Sequence, residues 1–175
     1  MVGSKNRAKT RPAEPHLDVA ELQELYKALP GGADATDPAE AVFAMTATLV
    51  IRSARVISAR VDDVVAPLGL TVPKFEVLGF LYAAPTGELP FAELKRRMFM
   101  HPATMGHTIR LLEADGLVKR RAHEVDRRAY VAVLTAKGRS VTRKGLEAVR
   151  EISFGCDGLS VAAARTVSSK LASLD

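Results

Sequence analysis

Between Pro90 and Gly138 the chain reads as helix, turn, helix, strand, basic hairpin and strand, and that order constrains its fold more than any other feature. Phe91, Leu94 and Met98 recur at core spacing while Lys95, Arg96 and Arg97 point outward, which predicts a supporting helix. Phe99-Met100 form a turn, His101 stands at an N-cap and Pro102 at the first helical position. In the second helix Met105, Ile109 and Leu112 are expected to anchor to a core, leaving Thr104, His107, Thr108 and Arg110 to share the remaining arc. Gly106 weakens that helix by about 1 kcal/mol relative to alanine and leaves room for close backbone approach. Asp115-Gly116 stops it, glycine being suited to a left-handed C-terminal residue. Leu117-Val118 opens a strand carrying Lys119, Arg120 and Arg121; Asp126-Arg127-Arg128 falls near the hairpin tip, and residues 130–134 return as the second strand. A winged helix-turn-helix needs this order to hold one helix in the major groove with a charged hairpin beside it. The predicted fold class is mainly α with a small β-wing.

Charge follows the same boundaries. The chain of 175 residues has a formal net charge of +5, yet residues 91–150 alone hold 14 Lys/Arg against 6 Asp/Glu. A merely solvated basic face is the plain alternative, and the coincidence of charge with the helix-turn-helix order argues against it. No uninterrupted apolar run reaches the roughly 18–20 residues of a membrane helix, so no membrane partner is expected, and no apolar segment follows the basic N-terminus as in a secretory signal. The one cysteine, Cys156, excludes an intrachain disulfide and fits a reducing, cytoplasmic compartment.

Around this centre, residues 1–16 read as a flexible basic arm and 17–35 as a short helical extension, with Leu22, Leu25 and Leu29 in step and Pro30-Gly31-Gly32 ending it. Asp37-Pro38 starts a long helix in which Phe43, Ala47, Val50, Ala54, Ile57, Val61, Val64 and Leu68 form a heptad-like seam, widened by Val42, Met45, Leu49 and Val56. An apolar arc so wide must meet more than one neighbour. Thr71 is placed to cap the following helix, with Pro73 in its first turn and Phe75, Leu78 and Leu81/Tyr82 inward; Glu88-Leu89-Pro90 suggests a very short strand. After the wing, Thr135 caps a helix running to about Ser153, and Ser160 caps a last one with Ala164, Val167, Leu171 and Leu174 as its stripe. Residues 36–70 and 139–175 are therefore expected to form a helical dimerisation region around a DNA-binding region at 71–138, a two-fold homodimer being the economical way to cover the end helices.

On the expected recognition helix, Thr104 and Thr108 suit phosphates or a thymine methyl. Arg110 suits a guanine edge, a phosphate or a buried bridge. His101 and His107 read as caps or phosphate donors rather than metal ligands, and no metal or other cofactor is expected. Residues Glu113 through Arg121, Asp126-Arg127-Arg128 and Leu134-Thr135-Ala136-Lys137-Gly138 resemble the end of the recognition helix, the wing and the post-wing helix start of the MarR family of dimeric winged helix-turn-helix regulators. The resemblance covers about residues 38–174. It implies transcriptional control, usually repression, at a pseudo-palindromic operator in double-stranded DNA. It makes Arg128 the minor-groove wing residue with Asp126 its supporting acid, and puts Thr104, His107 and Thr108 at recognition-helix contact positions. It also implies release of DNA by a small aromatic or anionic effector in a crevice for which Arg52, Arg55, Tyr82 and His101 are candidates. His101 stands where the family often has Ser or Thr, and Gly106 and Thr108 where longer polar residues are frequent. Arg96, Arg97, Arg120 and Arg127 complete the expected DNA-facing set.

Other classes find less support. The chain has no phosphate loop, no nucleophile with a sequence-local base and no paired-carboxylate motif, so it is not expected to be an enzyme. The alternative reading is a winged-helix module used for non-specific DNA architecture or for protein docking.

Overall fold

The computed structural model describes residues 20, 21, 24, 38–98, 100–122 and 129–173. The arm at 1–16 and the hairpin tip, Asp126, Arg127 and Arg128 included, lie outside these residues. Of the extension at 17–35, only Ala20, Glu21 and Glu24 are described, all three helical. The chain divides into two units, Met1–Ser53 and Ala54–Asp175.

Beyond helical Ala20, Glu21 and Glu24, the described residues form six helices and three strands in this order: α1 (Pro38–Val65), α2 (Val72–Ala83), β1 (Glu88–Pro90), α3 (Phe91–Arg97), α4 (Pro102–Ala114), β2 (Val118–Ala122), β3 (Tyr130–Leu134), α5 (Ala136–Glu151) and α6 (Val161–Leu171). Mainly helical with a small antiparallel sheet, this is the fold class the sequence predicts. In the sheet β3 is central, flanked by β1 and β2. Glu88 to Pro90 run against Val133 to Val131, and Val118 to Ala122 against Leu134 to Tyr130.

The core of the second unit gathers side chains from every layer. Leu78 and Leu81 of α2, Leu94 of α3, Met105, Ile109 and Leu112 of α4, Ala132 of β3 and Val149 of α5 are fully buried. Burying each of the larger ones contributes about 2 kcal/mol. On α1 the predicted seam divides. Val61, Val64 and Leu68 pack on the core, and Val65, outside the seam, is the most buried residue of α1. Phe43 and Val50 remain exposed, as do Val42 and Ile51.

Counted by average composition rather than by uninterrupted apolar run, Ala39–Leu68 is long and apolar enough to cross a membrane. The sequence criterion based on runs missed this. The same segment carries Glu40, Arg52, Arg55, Arg60, Asp62 and Asp63.

Caps explain the element boundaries. Thr135 Oγ1 accepts from the Gly138 N–H (2.9 Å) and Ser160 Oγ from the Ala163 N–H (3.2 Å), as their residue types predict. Thr71 does not cap α2. That role falls to Asp62 of α1, whose Oδ1 accepts from the Val72 N–H at 2.7 Å, so a cap expected from the adjacent residue comes from ten positions earlier. Gly116, at φ +70°, ends α4 in the left-handed conformation. Between α5 and α6 lies a 3-10 turn, Ser153–Gly155, in which Ser153 and Phe154 both take positive φ. Arg60 ties this turn to α1 through the Gly155 carbonyl (3.0 Å) and the Asp157 carboxylate.

Candidate nucleic-acid interface

Helix α4 separates cleanly into two faces. Met105, Ile109 and Leu112 are inaccessible to solvent, while Thr104, His107 and Arg110 are exposed. His101 occupies the N-cap as its position predicts: its Nδ1 accepts from the Ala103 N–H at 3.3 Å. At the other end the chain is clamped. Lys74 of α2 pairs with the Asp115 carboxylate (2.8 Å), Lys137 of α5 donates to the Asp115 carbonyl (2.7 Å), and the Thr135 hydroxyl donates to the Gly116 carbonyl (2.8 Å). The helix is thus fixed at its C-terminus by two other helices and presents its first turns outward.

Thr108 departs from expectation. It is 4 % exposed, and its hydroxyl donates to the Thr104 carbonyl at 2.9 Å. Three residues after Met105 and four before Leu112, it lies on the buried stripe, so it faces the core and not a groove.

The arginines differ among themselves. On α3, Arg96 meets Glu93 through two bonds, at 2.7 and 3.1 Å, and Arg97 through one at 2.7 Å. Hydrogen bonds from these two guanidinium groups hold the Glu93 carboxyl down to about 2, and the same carboxylate raises the Arg96 guanidinium. On β2, Arg121 pairs with Glu88 of β1 at 2.9 Å and Arg120 with Glu113 of α4 at 2.7 Å. The Arg120 guanidinium also lies over the Tyr130 ring, 4.8 Å from its centroid. Arg120, expected to face DNA, is therefore turned back toward the domain. Lys95, Arg110 and Lys119 are exposed and make no ion pair among the described residues.

Of the residues suggested for an effector crevice, Tyr82 carries the Arg139 guanidinium over its ring (5.4 Å) and His101 caps α4. Arg52 and Arg55 lie on α1, on either side of the division between the two units. Sequence reasoning missed Glu88, Glu93, Glu113 and Tyr130. The three- and four-residue spacing of Glu93 to Arg96 and Arg97 was the one available signal.

Comparison with known proteins points to one family. The model of the MarR family matches residues 68–129. The HTH-type transcriptional repressor Rv2887 of Mycobacterium tuberculosis is 36% identical over 102 residues, 58% of this chain and 72% of that protein. Among solved structures, Sco5413, a MarR family transcriptional regulator from Streptomyces coelicolor, has a TM-score of 0.70 at 29% identity, covering 76% of this chain and 93% of its own. The M. tuberculosis transcriptional regulator MOSR, solved in complex with DNA, has a TM-score of 0.63 at 26% identity, covering 73% and 91%.

Proposed function

The chain belongs to the MarR family, and from that premise we propose that it is a cytoplasmic, homodimeric transcriptional regulator, a repressor that binds a pseudo-palindromic duplex and is released by a small effector. One observation carries the DNA-binding part. Helix α4 is anchored by three solvent-inaccessible side chains and clamped at its far end, and it turns Thr104, His107 and Arg110 to solvent beside the basic strand β2. A rigid helix with a polar outer face is what groove reading requires. Lys95, Arg110 and Lys119 are the described cations best placed to meet phosphates, with Arg127 and Arg128 of the hairpin tip kept as wing candidates. The named relatives are repressors and regulators, one of them solved on DNA, which supports the same reading and gives no reason to look for catalysis.

Dimerisation is supported by the apolar side chains that α1 and α6 each leave in solvent, among them Phe43, Ile51, Val161, Val167 and Leu171. In this reading the apolar length of α1 serves a second copy of the chain rather than a lipid bilayer. A small aromatic or anionic effector would act by favouring a dimer geometry whose recognition helices no longer match the half-site spacing, with Arg52, Arg55, Tyr82 and His101 as candidate contacts.

The test is a titration of the purified chain against the DNA upstream of its own gene and against a scrambled duplex, at two salt concentrations. Selective binding that weakens steeply with salt is expected. Equal, weak binding to both duplexes would favour an architectural DNA binder or a protein-docking module.

A further inference from the structure

We infer that Arg120 is a positioning residue that sets the wing against the recognition helix, and that its partner in this is Glu113; the inference rests on the DNA-binding reading above. Arg120 Nε lies 2.7 Å from Glu113 Oε2 on α4, and both side chains are about two-thirds covered, at 34% and 31% exposure. The flat face of the guanidinium is occupied as well, by the Tyr130 ring of β3 at 4.8 Å. Tyr130 in turn packs on Phe91 of α3, with ring centroids 4.6 Å apart. Burial pushes the Tyr130 phenol up, with Arg120 acting in the opposite sense. Arg120 therefore joins the recognition helix to both wing strands and, through Tyr130, to the supporting helix.

Three physical points favour this role over a phosphate contact. A planar guanidinium suits a simultaneous carboxylate ion pair and ring stack, which a lysine would not reproduce. A phosphate at Arg120 would have to compete with a carboxylate already paired with it, 2.7 Å from its Nε. Glu113 also stands in the last turn of α4, where the helix dipole disfavours a negative charge. An acid at that position is offset by the arginine it meets. The adjacent Arg121 is turned back in the same way, to Glu88, so two successive arginines of β2 reach into the domain from opposite faces of the strand.

The experiment compares the full-length wild-type chain with Glu113→Gln, Arg120→Gln and the double variant. Each binds the duplex that the wild type enriches from a random-sequence pool, and a scrambled duplex, across a salt series. Thermal unfolding of each variant is followed in parallel. Loss of a positioning contact is expected to weaken binding to the enriched duplex about fivefold or more. Scrambled-duplex binding and the salt slope should stay at wild-type values, and the double variant should be no weaker than either single one. Removing the negative charge of Glu113 would then reduce affinity for a polyanion, which simple electrostatics does not predict. The inference is overturned if Arg120→Gln lowers the salt slope by about one while Glu113→Gln leaves binding unchanged or tighter, the signature of a phosphate contact. It is equally overturned if affinity for both duplexes falls in proportion to a lowered melting temperature, the signature of a merely structural pair. If the wild type enriches no duplex, the DNA-binding reading itself falls and takes this inference with it.

Discussion

Thr108 and His107 are neighbours in sequence, and the turn of the helix gives them opposite surroundings. The Thr108 hydroxyl is satisfied by the Thr104 carbonyl in a buried site, whereas the His107 imidazole meets solvent. Thr108→Val is therefore expected to leave DNA affinity unchanged and to alter stability by about 1 kcal/mol or less, measured by urea unfolding. His107→Ala is expected to weaken binding to the selected duplex with little effect on the unfolding midpoint. Glu93 gives a pH prediction. Its carboxyl is lowered from 4.5 to about 2 by the Arg96 and Arg97 bonds. A depressed folded-state value means that the stabilisation is complete above about pH 4.5 and is lost as pH falls toward 2. The unfolding midpoints of wild type and Glu93→Gln should therefore differ by a constant amount from pH 5 to 8 and converge below that range. The same substitution releases two arginines, so it should also tighten binding to scrambled DNA at low salt.

At the level of elements, the start of α5 is the tightest joint described. The Leu117 carbonyl accepts from the Thr135 N–H (3.1 Å) and the Thr135 hydroxyl (3.1 Å), and a Cβ on Gly138 would fall inside that same oxygen. Gly138→Ala is expected to cost about 3 kcal/mol, read as a lowered urea midpoint. A shift of less than half a kcal/mol would show that the joint relaxes. The order of the elements, the Thr135 and Ser160 caps and the Met105, Ile109, Leu112 stripe were legible because each depends on residues one to four positions apart. The buried place of Thr108 was legible too, since its spacing from Met105 and Leu112 is that of the stripe; its polar side chain obscured it. The Asp62 cap of α2 and the Glu113–Arg120 pair were not legible. Each joins different elements, and only the fold brings such partners within 3 Å. On α1, periodicity identified the apolar arc without showing which part would meet the core, because that depends on where the helix is seated rather than on its own sequence.

For the molecule as a whole, covered and uncovered apolar surface mark what a single chain does and does not complete. Phe43 is 72% exposed and Val161 79%. In the proposed dimer these side chains are covered by a second copy. Phe43→Asp combined with Ile51→Asp is expected to shift the purified protein from dimer to monomer in sedimentation analysis. It should also lower affinity for a two-half-site duplex while leaving the unfolding of the second unit intact. A dimer that survives both charges would place the interface elsewhere. The exposed length of α1 has a consequence for the chain during its manufacture. Ala39–Leu68 leaves the ribosome before α2 to α5, which supply the rest of the core, have been made. At about 5–20 residues per second, the translation machinery needs on the order of 5–20 s to finish the chain. Through that interval the half of α1 that packs on the core is held out without the elements it packs on, and the yield of the chain in the cell is expected to depend on how soon those elements, a chaperone or a sister chain from the same message arrive.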